Sequence, residues 1–526
     1  MSIPQVTDHG MPGKQFSYWV DSTTETEYPT MPDGLEVDIA IIGGGIAGIT
    51  TAVLLKQQGF KVALIEAGRI ANLTSGHTTA HISAASTPSY YRDIVSKFGE
   101  DQARECARSV LESIEKIEEL VRAYGVDCDF HRATEYLYAH SEEAREELRK
   151  EVEVEQRLGL PVSFEGSAPL PFVTSGALKY TNQAEFHPRR YLLGLAASLP
   201  GDGSHIFEGS RVRSTKDGSP CTVHTDRATL RAESVVVTTG SPISNLGLLP
   251  TRMAARRSYV LGIRVQDEFP GHTMFYSSEQ PCHYIRTVPS SPGLVLVGGE
   301  DHSTGLVADT RENYANLERF CREHFNVRSI VYSWSTQDQY PFDLLPFIGS
   351  VPGAKHHFVA TGFKGTGMTY GTLSGVILSD LIAKGSSPYQ SLYSPGRLKI
   401  RTSGQKLLAR NIRVVEMFAK ARLQAPEPVE RLDNGRALLT EIGGKKAAAY
   451  RDGEGELHAV SPVCMHMGCY VNWNSAELTW DCPCHGSRYD PDGKVISAPT
   501  SKDLAPVEAK GEERAEIKGT VVRMKA

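Results

Sequence analysis

The chain has 526 residues, 40% of them hydrophobic and 22% charged, with a formal net charge of −6. That length exceeds one compact domain and predicts two or three, and the composition is that of an ordinary globular protein. The acidic balance, without a basic tract, excludes a nucleic-acid footprint. No apolar run is long enough to span a bilayer, and residues 1–32 hold none of signal-peptide type. Cys106, Cys128, Cys221, Cys282 and Cys321 are scattered without framework spacing, which predicts a reducing, cytoplasmic setting.

After an N-terminal extension, residues 1–34, the stretch from Leu35 to Glu66 reads as one βαβ unit. A buried strand, Val37 to Ile42, runs into Gly43, Gly44, Gly45, Ile46, Ala47 and Gly48, which open a helix through Leu55. A second strand, Val62 to Ile65, ends on Glu66. Gly43 permits the turn, Gly45 lets the backbone approach a pyrophosphate, and Gly48 lets helix and strand pack closely. The helix N-terminus faces the phosphates and Glu66 takes the ribose hydroxyls. A glycine triplet alone is weak; one set between apolar strands with an acidic residue at the second strand's end is specific. That acidic residue disfavours a 2′-phosphate, leaving FAD or NAD. Arg69 and the hydroxyl-rich loop from Thr74 to His81 suit a flavin and its diphosphate.

This part of the chain resembles the D-amino-acid oxidase/sarcosine oxidase superfamily of FAD enzymes. The resemblance implies an α/β FAD-binding Rossmann-like domain with an inserted antiparallel α+β substrate domain, interleaved over residues 35–395. It places FAD against Gly43, Gly45, Ile46, Ala47, Gly48, Glu66, Ala67, Arg69, Thr74, Ser75, Gly76, His77 and Thr78. Val212 matches the strand beside the adenine, and Val235 to Gly240, with Thr239 and Gly240, the strand and turn that close the site. Pro188 sits early in a helix, where its missing N–H does no harm, with His187 at the entry.

Alternating segments from Arg257 to Gly299 predict antiparallel strands of the substrate domain. His283 to Arg286 and Gly293 to Gly299 resemble the superfamily hairpin over the flavin's reactive face, and Trp334 to Asp338 and Asp343 to Gly349 its approach to the ring. A second glycine-rich loop, Ala360 to Thr369, opens a helix reaching about Ile382. In the family its N–H groups, here at Gly362, Gly365, Thr366, Gly367, Met368 and Thr369, stabilise negative charge at the flavin N1/C2=O.

Single residues carry two readings each. Arg286 suits a carboxylate clamp, because its planar fork matches a carboxylate, or an ion pair. Tyr259, His283, Trp334 and Asp338 line the pocket or fill core between sheets. Lys364 approaches the flavin or is a solvated loop lysine. His77 or His81 carries a covalent flavin link or, the favoured reading, a hydrogen bond.

Two departures from the sarcosine oxidases bear on the reaction. Thr369 stands where they carry a lysine, and no lysine lies on the strand matching Gly293 to Val297, where theirs activates oxygen. A flavin without that cation reacts slowly with O2, which favours a dehydrogenase over an oxidase.

A basic helical linker is expected over residues 396–428, with a boundary at Ala425 to Pro428, and a small all-β domain over residues 429–526. Within it Cys464, His466 and Cys469 sit on one tight loop, and Cys482, Cys484, His485, Ser487 and Tyr489 on another. Two thiolates and two imidazoles across two loops fit a [2Fe–2S] centre with both histidines on one iron. A structural zinc site is the plainer alternative, but leaves the six-residue pattern and the loop-shaping Gly468, Pro483 and Gly486 unexplained. Both boxes resemble the Rieske arrangement, and the whole chain resembles the bacterial and archaeal branch that fuses a Rieske domain to the flavin domain. The resemblance implies that Cys464 and Cys482 hold one iron and His466 and His485 the other, and that Cys469 and Cys484 form a disulfide. It also makes the Ser487 and Tyr489 hydroxyls donors to sulfur, placing the potential in the upper part of roughly −150 to +300 mV.

The expected function is a flavoprotein dehydrogenase that takes a hydride from a small amine or amino-acid-like substrate. Electrons pass singly to the cluster and on to an external acceptor. The rivals are a Rieske-fed flavin reductase, oxidation of a C–O or C–C bond in a hydroxy acid or natural-product intermediate, and a non-enzymatic redox sensor. A Rieske oxygenase is excluded on size, since under forty residues follow Tyr489, and no second dinucleotide motif supports a pyridine-nucleotide-dependent reductase.

Overall fold

A computed structural model describes residues 11–85, 89–243, 246–397, 419, 422, 423 and 425–508. Most of the expected helical linker lies outside the described residues. Two large sheets and two small ones carry the fold. The first has eight strands. Its central run, in spatial order, is His357–Thr361, Thr229–Val237, Leu35–Ile42, Val62–Ile65 and His205–Phe207, all parallel. Parallel strands buried on both faces need apolar residues throughout, and Ile39 to Ile42 and Val62 to Ile65 are all at most 3% exposed.

Helices Ile46–Gln57 and Gly367–Lys384 lie against each other beside this sheet. Their contact is a row of small residues. A Cβ on Gly371 would stand 2.4 Å from the Ile46 side chain, and one on Gly375 2.5 Å from that of Thr50. The close approach brings both helix N-termini to the same place, beyond the C-terminal ends of the parallel strands. In such sheets that crevice is where ligands bind.

The second sheet has nine strands, antiparallel apart from one parallel pair, and includes Met253–Val265, Leu294–Ser303 and Val327–Pro341. One of its faces closes over the crevice. The other is covered by the Arg311–His324 helix, whose Tyr314, Leu317, Phe320 and Cys321 bury against it. The N-terminal segment is part of this core. The Tyr18–Asp21 turn buries Trp19, whose Nε1 donates to the Thr78 carbonyl at 2.6 Å, and Ser17 Oγ donates to the Gly76 carbonyl at 2.5 Å.

From Arg436 the chain builds a three-stranded and a four-stranded antiparallel sheet. This small domain docks on the nine-stranded sheet. Arg257, 1% exposed, reaches the Glu477 carboxylate at 2.5 Å, and Arg488 and Ser335 bond the same carboxylate. Gln337 Nε2 donates to the Gly486 carbonyl at 2.8 Å, Asn472 Nδ2 to the Gly305 carbonyl at 2.7 Å, and Thr310 Oγ1 to Asn474 Oδ1 at 2.7 Å. The two guanidinium groups hold the Glu477 carboxyl down at about 2, below its ordinary value, despite its burial. A depressed carboxyl stabilises the folded state above its unfolded pKa and loses that contribution as pH falls through the folded one. The docking should therefore hold throughout the neutral range and weaken only as pH falls from the ordinary glutamate range towards about 2.

Replacing Gly371 by valine should force the two helices apart and cost about 1–3 kcal/mol, read as a lower urea midpoint at unchanged slope.

Candidate functional site

The crevice is a cavity of about 400 Å³ running between the two sheets. Its floor is the first glycine loop. Gly43 has φ 111°, and a Cβ on Gly48 would lie 1.9 Å from the Gly43 carbonyl oxygen, so neither position admits a side chain without moving the turn. The Gly44 and Gly68 N–H groups each donate to the Glu66 carboxylate at 2.8 Å. Burial pushes the Glu66 carboxyl up, against those hydrogen bonds and the nearby Arg211 guanidinium.

The residues expected at the dinucleotide come together here. Gly43, Gly45, Ile46, Ala47, Glu66, Ala67, Arg69, Thr74, Ser75, His77 and Thr78 line the cavity, with Val212, Thr239 and Gly240 at its far end and Gly362, Gly365, Gly367 and Met368 opposite. Four others stand behind this wall. Gly48 serves helix–strand packing, and Gly76 lies so close to the Ala71 carbonyl that a Cβ would sit 2.3 Å from it. Thr366 precedes the Gly367–Lys384 helix and donates to the Phe363 carbonyl at 2.9 Å, and Thr369 Oγ1 donates to the Ser83 carbonyl at 2.9 Å. His77 lines the cavity and is pushed down to about 4 by burial, whereas His81 is buried beside Glu135 and lies off the cavity wall.

Three expected catalytic residues lie elsewhere. Arg286 is 1% exposed, pairs with Glu185 at 3.3 Å and donates to the carbonyls of Thr79, Ala80 and Phe186. It fastens the loop rather than facing the cavity. Tyr259 points to the opposite face of its sheet, bonding His302 Nε2 at 2.8 Å and packing on Tyr314. His283 lies on that outer face too, stacked on Phe320 at 3.7 Å and beside Glu300 at 3.3 Å. For Tyr259 the cause is strand parity, since alternate residues face opposite sides, and a register shift between Arg257 and Tyr259 resets which ones. Lys364 does line the cavity. Burial pushes its ammonium down to about 8, and it donates to Ser89 Oγ at 2.9 Å. Trp334 and Asp338 line the cavity as well, with Tyr276, Tyr284 and Tyr340, which the sequence did not single out.

In the small domain the Cys464 and Cys482 thiols are buried, free and hydrogen-bonded to each other. The His466 and His485 rings lie 5.0 Å apart at 86°. Cys469 and Cys484 are joined in a disulfide that ties the two loops. Tyr489 Oη lies 3.3 Å from Cys464 Sγ, and Ser487 also reaches that sulfur. Two sulfur and two imidazole donors on tied loops are the donor set a [2Fe–2S] centre requires. Likewise a cavity against a glycine turn, two helix N-termini and the Glu66 carboxylate at the end of the second strand suits FAD.

Comparison with known proteins agrees with both sites. Residues 38–381 match the FAD dependent oxidoreductase family and residues 424–508 the Rieske [2Fe-2S] domain. The chain belongs to the FAD-dependent oxidoreductase family, in a form that carries a C-terminal Rieske domain. The first domain binds FAD and the second a [2Fe–2S] cluster. A Bacillus subtilis (strain 168) chain, the Rieske 2Fe-2S iron-sulfur protein YhfW, is 35% identical over 94% of this chain and 97% of its own length. Escherichia coli (strain K12) gamma-glutamylputrescine oxidoreductase is 27% identical over 42% of this chain and 53% of its own. Among solved structures, glycine oxidase from Geobacillus kaustophilus shares the fold at TM-score 0.58 and 21% identity, over 69% of this chain and 99% of that one. No helix among the described residues is long and apolar enough to cross a membrane.

Glu66→Ala should weaken FAD binding about tenfold, roughly 1.4 kcal/mol, measured by titrating FAD into deflavinated protein. An affinity within twofold of wild type would remove Glu66 from the site.

Proposed function

We propose that the protein is a dehydrogenase of a small amine or amino-acid-like substrate that delivers its electrons one at a time, through its own Rieske domain, to an external acceptor. FAD when bound supplies the two-electron acceptor, and the cluster a one-electron carrier. The observation that carries this reading is the Val327–Pro341 strand, which stands between the two sites. Trp334 Nε1 donates to the His77 carbonyl at 2.8 Å and the Asp338 carboxylate meets the Gly365 N–H, both on the cavity side. The intervening Ser335 and Gln337 bond Glu477 and the Gly486 carbonyl of the small domain. The strand thus bonds both sites, and the cavity wall itself includes Glu477 and Arg488 of the small domain, an adjacency that favours transfer within one chain.

The two imidazoles differ in surroundings. His485 is buried on the loop that abuts Ala255 and Gln337, whereas His466 lies between Met465 and Met467, 45% and 47% exposed. The inner face suits entry of electrons from the flavin side and the outer face their exit to a partner. A neutral amine requires little acid–base machinery of the chain. Lys364 is the one lysine lining the cavity among the described residues, and Leu294 to Val297 carry none, which supports a dehydrogenase. The gamma-glutamylputrescine oxidoreductase among its relatives supports a substrate that carries an amine nitrogen.

Anaerobic addition of amines and N-methyl amino acids should bleach the flavin, and the Rieske EPR signal should then grow. Bleaching with the cluster left oxidised would refute the internal relay. Glu477→Ala should leave bleaching by substrate unchanged and slow cluster reduction at least about tenfold, since it strands the buried Arg257 guanidinium and loosens the dock.

A further inference from the structure

Besides Glu66, the cavity wall carries one more carboxylate without an ion pair among the described residues. Asp338 lines the cavity beside Tyr276, Tyr284 and Tyr340. Its carboxylate accepts one hydrogen bond, from the Gly365 N–H, and makes no ion pair among the described residues. Burial pushes its carboxyl up to about 6, as for an anion lacking a counter-charge. The neighbouring guanidinium groups are already paired. Arg256 pairs with Asp301 at 2.6 Å, Arg257 and Arg488 share Glu477, and Arg286 pairs with Glu185, while the Lys364 ammonium reaches away to the Ser89 hydroxyl.

We propose that this part of the cavity wall is a cation site centred on Asp338, so that the substrate presents an ammonium group to it and no carboxylate. The inference rests on the amine-dehydrogenase reading and narrows it, from amino-acid-like substrates to amines without an α-carboxylate. The physics is that of like and unlike charge in a confined site. An ammonium gives the Asp338 carboxylate the partner it lacks, and phenol rings beside it can present negative faces to a cation. A substrate carboxylate in the same place would meet a like charge, with the Arg256 and Arg257 guanidinium groups already held by carboxylates.

The test is a titration of the anaerobic holoenzyme, followed by flavin absorbance, with N-methylbutylamine, 1,4-diaminobutane, N-methylglycine and propionate. Either amine should perturb the flavin at least about tenfold more tightly than N-methylglycine or propionate, a difference of roughly 1.4 kcal/mol. Asp338→Asn should weaken amine binding about tenfold at wild-type FAD content, and Asp338→Glu should restore part of it. The inference is overturned if N-methylglycine or propionate binds more tightly than both amines, or if neither amine perturbs the flavin. It is equally overturned if Asp338→Asn leaves amine affinity within twofold or sheds FAD, which would make Asp338 a cofactor ligand. An amine that perturbs the flavin through Asp338 without reducing it supports the cation site and refutes the dehydrogenase. Reduction by N-methylglycine alone does the reverse.

Discussion

A single carboxylate holds the two halves of this molecule in register. Glu477, its side chain 19% exposed, meets Arg257, Arg488 and Ser335 at once, and withdrawing charges from water costs several kcal/mol unless partners replace their hydration. Three polar groups converging from two domains do so in one relative placement. Sliding the small domain would strand Arg257, which at 1% exposure has no water to turn to. The network acts less as a source of net stability than as a selector of geometry. The geometry selected sets the cluster loop, through Gly486, against Ala255 and Gln337.

The same strand that receives the small domain also walls the cavity, and the alternation of a β-strand lets it do both. Gln337 donates to the small domain, and Asp338 accepts from Gly365 across the cavity wall. Opposite this wall, two helix N-termini converge because Gly371 and Gly375 let the helices touch. The loop between is pinned from outside by Ser17 and Trp19 and from beneath by Arg286. Such a shell fixes the first layer of a site through residues that never touch its ligands. A substitution at Trp19 or Arg286 would thus alter the cofactor loop from a distance.

The motifs legible in the sequence are local ones. The glycine turn between apolar strands, the second glycine loop and the two Cys/His loops each depend on residues a few positions apart, and the structure gathers them where their chemistry requires. Facing was not legible. Tyr259 lies on a substrate-domain strand but points outwards, because a register shift beside Arg257 is set by pairing with a distant strand, and His283, just before the Tyr284–Thr287 strand, stacks on Phe320 instead. Arg286 reads as a clamp until Glu185, a hundred residues away, is seen beside it. The extension before Leu35 carries no motif, yet Trp19 is core. Glu477 has no signal of its own either; its importance arises only once Arg257 stands opposite.

The central claim is that flavin and cluster exchange electrons within one chain, across the Val327–Pro341 strand. The most direct measurement is the rate of cluster reduction after a light pulse reduces the flavin of the anaerobic holoenzyme, repeated over a tenfold dilution of protein. The account predicts a first-order rate that does not change with concentration. A rate that falls in proportion to dilution, or a cluster that stays oxidised beside reduced flavin, would contradict it.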